Sequence, residues 1–470
     1  MRHSPLRRSL RLVTVAWVFG AVWMYTITGA TLTQFAQLLG MSRFGFGVLA
    51  ALPFAGCAFQ LPVSYIIERY GHRKQIFISL GLIHRALWLV VAAIPWLLPE
   101  TTRARGMIVV VALSWATGQM IGPAWVSWMA DLVPEPIRGR YFSRRSQVGQ
   151  AVGLVTTLAI GFVLDRAAAH GPEALLKAAA GGLAVAAVFG MVDFLFFLPV
   201  AETVRRMPNP DVKWRHLLLT PLRDSNFRCF LGFTALLTFS IGYINQFVWL
   251  YVLNVAGFSN TAANAMLVLV PLATFLVMYP VWGRLVDRLG RKPVLIIAML
   301  LFVQGAGAWV FISREHWLAG FAAVTLGTLM WPGIDLANFN ILLDLGSATE
   351  GQQERGAHIA INSAVIAIAG VASGVFGGVL AQLLKDWRGT FFGQPLTYHG
   401  VLFLIASGVR LLAALWLFRL REPGAYTTRA ALRYLGTNLY SNLQQAMFIP
   451  GRLLWQLGRW TYKLGPRRRN

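Results

Sequence analysis

The sequence predicts an all-α integral membrane protein, with twelve transmembrane helices arranged as two pseudo-symmetric six-helix bundles. Composition comes first: of 470 residues, 56% are hydrophobic and only 13% charged. A soluble chain carries roughly a quarter charged residues, so this one lacks the polar surface to cover itself in water. Second, apolar stretches of about 20 residues, enough to cross the hydrocarbon core, recur along the whole chain. Third, the loop GRLVDRLGRK at 283–292 has a worn copy, SYIIERYGHRK, at 64–74. Gly290 matches Gly71, Asp287 matches Glu68 and Arg288 matches Arg69, each copy between two apolar runs.

The spans fall near 12–36, 44–67, 75–98, 106–130, 146–165, 178–200, 229–253, 262–283, 293–312, 317–343, 357–384 and 399–420. Lipid offers backbone groups no partners, and the runs are too long and too uniformly apolar for barrel strands, so they are helices. The first run follows a basic start and resembles a signal peptide. It is too long, lacks a small-residue cleavage site and precedes eleven more spans, so it is read as a helix. Between spans six and seven, AETVRRMPNPDVKWRHLLLTPLRDSNF is polar and basic, and Pro208 and Pro210 interrupt any helix there. It is expected to be a connector whose KWRHLLL segment lies on the membrane surface. After Arg421 the tail alternates Arg with Leu, Trp, Tyr and Phe at helical spacing, which suits a lipid interface. The expected divisions are therefore a first bundle over 1–200, a cytoplasmic connector over 201–228, a second bundle over 229–421 and a basic amphipathic tail over 422–470.

The net charge of +24 invites a nucleic-acid reading, but its distribution argues otherwise. The 42 Lys and Arg fall about four to one on the side of both termini, which is the positive-inside pattern. Both termini are expected in the cytoplasm, in the cytoplasmic (inner) membrane, with the basic excess meeting anionic lipids rather than nucleic acid. Cys57 and Cys229 both fall in spans, too few for a disulfide framework or a metal site. No histidines pair at ligand spacing, and no phosphate-binding G-x-x-x-x-G-K-[ST] loop occurs. No cofactor, no ATP chemistry and no enzyme activity are expected.

The repeat extends beyond its loops. Leu39-Gly40-Met41-Ser42 corresponds to Ala256-Gly257-Phe258-Ser259. Asp131, before Arg138, Gly139 and Arg140, corresponds to Asp344 before Glu354, Arg355 and Gly356. Val192-Asp193-Phe194-Leu195 corresponds to Val409-Arg410-Leu411-Leu412. Such similar offsets imply a 6+6 arrangement of parallel halves, the pattern of a transporter.

These residues resemble the major facilitator superfamily of secondary transporters over about 410 residues by span count. The second loop is the closer match. In the first, Ser64, Glu68 and His72 depart from the family's glycine, aspartate and basic residue. WVSWMADLVPEPIRGRYFSRR is also similar to the loop after span four in bacterial members. The resemblance implies a cytoplasmic gate made by Glu68, Arg69, Gly71, Arg73, Asp287, Arg288, Gly290 and Arg291. Arg138, Arg140, Arg144 and Arg145 are the candidate partners of the acids. The alternative is that these charges only anchor the helix ends.

It also implies a substrate path along spans one, four, seven and ten. Tyr25 and Thr28, Trp115 and Gln119, and Tyr243, Asn245 and Gln246 are candidates in the first three. In span ten, Thr328, Trp331, Asp335 and Asn338 share one helical face, and Pro332 is expected to loosen the helix beside them. Asp335, expected to be buried between Trp331 and Asn338, is the only carboxylate well inside these spans. It either carries a coupled proton or helps close the cytoplasmic mouth. Amides, hydroxyls and aromatics suit a neutral or zwitterionic solute, though small polar groups also glue helices together.

Two more ionisable groups lie near mid-membrane: Arg85 in span three and Asp193 in span six, at depths that permit an ion pair. The repeat places Gln304 and Arg410 at the corresponding positions. An intramembrane clamp is expected in each half, Arg85 with Asp193 and Gln304 with Arg410, with His84 a hydrogen-bonded filler; the alternative is a substrate or proton site. Span five lacks the glycine-proline motif of the family's drug/proton antiporters, and Gly370, Gly374, Gly377 and Gly378 pack span eleven without proline. The reading is a monomeric secondary transporter of a small organic solute, working by alternating access and coupled to protons. The alternatives are efflux of a drug or metabolite by proton antiport, and a non-transporting membrane scaffold on the same fold.

Overall fold

A computed structural model of the chain describes residues 5–202, 221–312, 316–347, 352–422 and 426–434. Among the described residues, twelve helices are long and apolar enough to span a membrane: Pro5–Thr26, Arg43–Ile67, Arg73–Leu97, Glu100–Leu132, Arg140–Ala168, Pro172–Leu195, Ser225–Val255, Asn260–Leu289, Arg291–Phe311, Trp317–Leu345, His358–Leu383 and Tyr398–Arg419. Most of the connector, including KWRHLLL, and the tail beyond residue 434 lie outside the described residues.

The repeated landmarks are chain reversals. Gly40 and Gly257 have φ of 75° and 67°, and Gly71 and Gly290 have φ of 77° and 93°, left-handed conformations that a side chain would strain. The serine two residues after each of the first pair caps the next span. Ser42 Oγ accepts from the Gly45 amide at 3.0 Å and Ser259 Oγ from the Ala262 amide at 3.2 Å. One local device, a glycine stop followed by a serine start, thus appears once in each half. Between spans eleven and twelve a short hairpin, Gly389–Phe391 with Gln394–Leu396, turns at Phe392 and Gly393.

Several spans are broken. Span one stops at Thr26 and resumes as Ala30–Leu38, pivoting on Gly29 (φ 68°). Span two breaks between Cys57 and Gln60, just after Pro53. There Gln119 Nε2 donates to the Pro53 carbonyl at 3.1 Å and Gln60 Nε2 donates to Gln119 Oε1 at 2.7 Å. Span seven breaks at Tyr243, where Ser373 Oγ accepts from the Tyr243 amide at 2.9 Å and donates to the Phe239 carbonyl at 2.7 Å. Polar side chains from neighbouring spans thus partner the freed backbone groups, as hydrocarbon requires. Span ten, Trp317–Ser347, is one continuous helix with Pro332 inside it, so the proline weakens the ladder without breaking the helix. Trp282 Nε1 donates to the Leu329 carbonyl one turn before the proline, at 2.7 Å, so span eight supports the place where the ladder is weakened.

Burial divides the molecule lengthwise. At the end bearing the Gly71 and Gly290 loops there are two separate cores. One, around Val13, Ile67, Phe77, Trp128 and Phe197, belongs to the first half; the other, around Phe227, Leu285, Val294, Ile341 and Leu417, belongs to the second. At the opposite end a single core runs through both halves, joining Trp23, Phe35 and Leu49 to Phe247, Trp249 and Phe403. Among the described residues, the halves share a core at one end only.

Candidate functional site

The joined end is closed by small residues and polar bridges. Spans two and eleven cross so closely that a Cβ on Gly374 would stand 2.6 Å from the Gly47 carbonyl oxygen. Gln246 Nε2 of span seven donates to Thr33 Oγ1 of span one at 3.2 Å, and Gln34 Nε2 donates to Asn260 Oδ1 at 3.0 Å. Asn264 Nδ2 of span eight donates to the Thr157 carbonyl of span five at 2.9 Å. The densest bridge is Asp165, at the end of span five. Its carboxylate accepts from the Asn260 amide (2.6 Å), Asn260 Nδ2 (2.9 Å) and the Thr261 amide (2.9 Å), capping span eight across the boundary between halves. Arg43 also stacks on Tyr398 of the other half at 5.2 Å. Sequence reasoning missed Thr33, Gln34, Asp165, Asn260 and Asn264. The signal available was Asp165 at the end of span five and the Asn-Thr-x-x-Asn run after Ser259.

The path candidates separate when placed on their helices. In span one Trp23 points into the first half, its ring 5.0 Å from His84 and 6.2 Å from Trp88. At about 100° per residue, Tyr25 lies on the other side of the helix. Tyr25 rests against Gly153 of span five, and exposed Thr28 sits at the break. In span seven Asn245 is exposed on the side opposite Tyr243, and Gln246 bridges the halves. Tyr243 itself is corrected: it is fully buried in the second half, its hydroxyl donating to the Leu402 carbonyl at 2.9 Å. A phenol that finds a carbonyl partner in its own bundle turns away from the seam. Trp115 and Gln119 lie where span four crosses span two at Gly56, and Gln119 is engaged by the kink there.

In span ten, Thr328 and Asp335 meet span eight. Thr274 Oγ1 donates to Thr328 Oγ1 at 2.8 Å, and Tyr279 Oη donates to Asp335 Oδ2 at 2.8 Å. Trp331 instead packs against Phe302 of span nine, with centroids 5.9 Å apart. Asn338 Oδ1 is buried with no hydrogen-bond partner among the described residues. The expected burial of Asp335 is corrected: the residue is exposed, because Trp331 turns toward span nine rather than covering it.

At the other end the charges resolve into two matching clusters, each inside one half. Fully buried Arg73 forms an ion pair with Asp131, reaches Glu202 Oε1 at 3.1 Å, and donates to the Ser127 carbonyl and hydroxyl, both at 3.1 Å. In the second half Arg291 pairs with Asp344, while Glu422 accepts from the Arg291 amide (3.2 Å) and the Lys292 amide (2.6 Å). Lys74 Nζ donates to the Leu198 and Val200 carbonyls at the end of span six, and Lys292 Nζ to the Phe418 carbonyl at the end of span twelve. Glu202 and Glu422 were not anticipated, although they stand in register with the repeat.

Among the described residues, Asp287 makes none of the expected cross-pairs in this conformation. Asp287 is exposed, and the Glu68 side chain lies outside the described residues. Arg138 Nη2 donates to the Ala130 carbonyl at 2.8 Å, Arg145 lies over Trp17 and Trp125, and Arg140 and Arg144 are exposed. Arg288 lies over Tyr434 at 4.8 Å. Arg69 is bonded to the Tyr65 hydroxyl, which with neighbouring Tyr70 holds its guanidinium above its already high ordinary pKa.

Of the two intramembrane pairs, Arg85 Nη2 stands 3.6 Å from Asp193 Oδ2, both side chains buried, with the guanidinium 3.3 Å over the Trp23 ring. His84 Nδ1 lies 2.8 Å from Ser114 Oγ. The Gln304–Arg410 pair is corrected. Gln304 is exposed and its amide donates back to Leu301 of its own helix at 3.2 Å, while Arg410 is buried beside Phe302. The side of span nine that faces span twelve passes through residues 302 and 305, so position 304 points outward.

The Major Facilitator Superfamily family model matches residues 13–345 and 265–462. No curated protein sequence matches the chain. Among solved structures, the nucleoside transporter NupG superposes with a TM-score of 0.65 at 13% identity, covering 89% of this chain and 99% of that one. A D-xylose-proton symporter gives 0.65 at 14% identity, covering 90% and 100%. A bacterial homologue of the human lysosomal transporter Spinster, inward-facing and occupied, gives 0.66 at 13%, covering 87% and 95%. At such identities the likeness shows the fold alone.

Proposed function

Because the chain belongs to the major facilitator superfamily, we propose that it is a secondary transporter that moves a small organic solute across the cytoplasmic membrane by alternating access. The observation that carries this reading is the split of the hydrophobic core: one shared core at the Asp165 end and two separate cores at the loop end. Two bundles that, among the described residues, share a core at one end only can rock about that seam and expose a solute path to either side in turn. The basic loops argue that the separated end faces the cytoplasm, so this conformation is open inward.

The path runs between Thr28 and Tyr25 on one side and Asn245 on the other, with Asp335 and Tyr279 beside it. Neutral donors and acceptors dominate it, which supports a neutral polar solute. The nucleoside transporter and the xylose-proton symporter of the same fold carry solutes of that chemistry by name. Asp335 is the proton-coupling group of this reading. Its carboxylate is accessible and held by the Tyr279 hydroxyl, so protonation would change a bond between spans eight and ten. The protein works as a monomer, with anionic lipid against its basic face.

A proteoliposome uptake screen over sugars, nucleosides, amino acids and short peptides tests the reading. Saturable uptake of one class, reduced by substitution at Asn245 or Thr28, is the expected result. Failure of every class in both orientations, with the folded protein present, rejects it.

A further inference from the structure

At the loop end of the second half a cavity of about 380 Å³ opens where span seven begins and span twelve ends. Arg228, Arg419 and Arg421 line it, against the single carboxylate of Asp224. Bonds between the two spans fix its walls. Asn226 Nδ2 donates to the Arg421 carbonyl at 2.9 Å, and Asn226 Oδ1 accepts from the Arg421 amide at 2.8 Å. Trp416 Nε1 donates to the Cys229 carbonyl at 2.9 Å. Asp224 is occupied as the cap of span seven, its Oδ1 accepting from the Asn226 amide at 2.8 Å. The three arginines are exposed, and none forms an ion pair among the described residues. Arg228 Nη1 donates to the Leu222 carbonyl at 3.0 Å and the Arg419 guanidinium lies 4.4 Å over the Trp416 ring, which leaves most of their N–H donors unused.

Three guanidiniums around one open space suit a phosphate group, whose oxygens a guanidinium fork meets two at a time. The neighbouring surface says what carries that phosphate. Leu412 and Leu415 are 57% and 51% exposed and lie two turns and one turn before Arg419, on the same side of span twelve. Trp416 follows them on that side. Apolar stripe, tryptophan and arginine, in that order, match the depth order of acyl chain, interface and headgroup. A soluble anion would make no use of the leucines. We propose that the cavity binds the phosphodiester headgroup of an anionic phospholipid, with an acyl chain along Leu412 and Leu415. A zwitterionic lipid would bring its ammonium against the same arginines and bind less well. Both spans belong to one half, so the lipid moves with that half when the bundles rock. Placing the lipid in the cytoplasmic leaflet rests on the proposed orientation of the transporter; the site itself does not.

Native mass spectrometry of the purified, delipidated full chain tests the site without any transport measurement, by titration with phosphatidylglycerol or phosphatidylcholine of equal chain length. Phosphatidylglycerol is expected to bind at least about tenfold more tightly. Arg419→Gln with Arg421→Gln should remove that preference. Arg8→Gln with Arg11→Gln takes the same charge from exposed residues of the first half and should keep it. Equal binding of the two lipids overturns the proposal, and so does a preference unchanged in Arg419→Gln with Arg421→Gln. An equal loss in the two double variants also overturns it, since a diffuse basic surface would then hold the lipid. Displacement of the lipid by inorganic phosphate does the same, because the cavity would then serve a soluble anion. Should the variant at Arg419 and Arg421 fail to fold, a photoactivatable phosphatidylglycerol decides on the wild type: adducts within 221–232 or 412–421 support the site, and adducts only elsewhere overturn it.

Discussion

Removing the Asp165 carboxylate should shift the transporter toward the conformation open at the opposite end. In the observed state this carboxylate accepts three hydrogen bonds from Asn260 and Thr261, two of them from the first amides of span eight. None of these can persist once the halves part at that end. A hydrogen bond to a charged group contributes about 1.5–3 kcal/mol when shielded, but Asp165 is half-exposed, so about 1 kcal/mol each is the appropriate figure. Asp165→Ala therefore costs the closed seam about 3 kcal/mol, roughly a 150-fold change in the ratio of the two conformations. A cysteine at Thr33, fully buried in the seam beside Gln246, reports the opening, with Cys57 and Cys229 replaced by serine. In detergent, its maleimide labelling rate should rise by about one to two orders of magnitude in Asp165→Ala. Asp165→Asn, which keeps an acceptor, should fall between. A labelling rate unchanged by Asp165→Ala would refute the reasoning, because the seam would then be held by apolar packing alone.

Asp335→Asn should abolish accumulation driven by a pH gradient in proteoliposomes while leaving downhill exchange intact; persistence of gradient-driven accumulation would exclude the coupling role. Arg85→Gln or Asp193→Asn alone should lower stability by about 3–5 kcal/mol, since each leaves the other charge buried and unpaired. The exchanged pair Arg85→Asp with Asp193→Arg should recover much of the melting temperature, and absence of recovery counts against a paired role. Gly29→Ala should cost at least about 1 kcal/mol, read as a lower melting temperature. Gly29 has φ of 68°, and an added Cβ would also stand 2.9 Å from the Trp249 ring.

Much of the frame was legible in the sequence because hydrocarbon imposes long apolar helices and the duplicated loops mark their ends. The described helices coincide in number and place with the apolar runs. The repeated glycines are repeated because each is a left-handed reversal. What was not legible depends on helix phase. Tyr243 carries a polar group in a path-lining span, yet its partner is a carbonyl of span twelve in the same half. Gln304 differs from a position facing Arg410 by a single residue, and one residue is about 100° of rotation. The break at Gly29 has no proline to announce it, whereas Pro332 weakens a helix that stays continuous and is supported by Trp282. Glu202 and Glu422 were within reach, since each follows the last span of its half at matching offsets.

The two loop clusters also say where switching energy is not stored. Arg73 with Asp131 and Glu202, and Arg291 with Asp344 and Glu422, tie spans three and four, and nine and ten, to the chain leaving each half. All these bonds lie inside one half, so rocking the halves need not break them; they make each bundle a stiff body. The free energy difference between conformations must then reside in groups that change partners across the seam. At the closed end these are Asp165, Gln34, Gln246 and Asn264. At the loop end the described candidates are the charges still exposed here, among them Asp287, Arg140 and Arg144. The final basic residues of this loop stiffen each half, and under the proposed rocking the exposed Asp287 is the acid expected to join them.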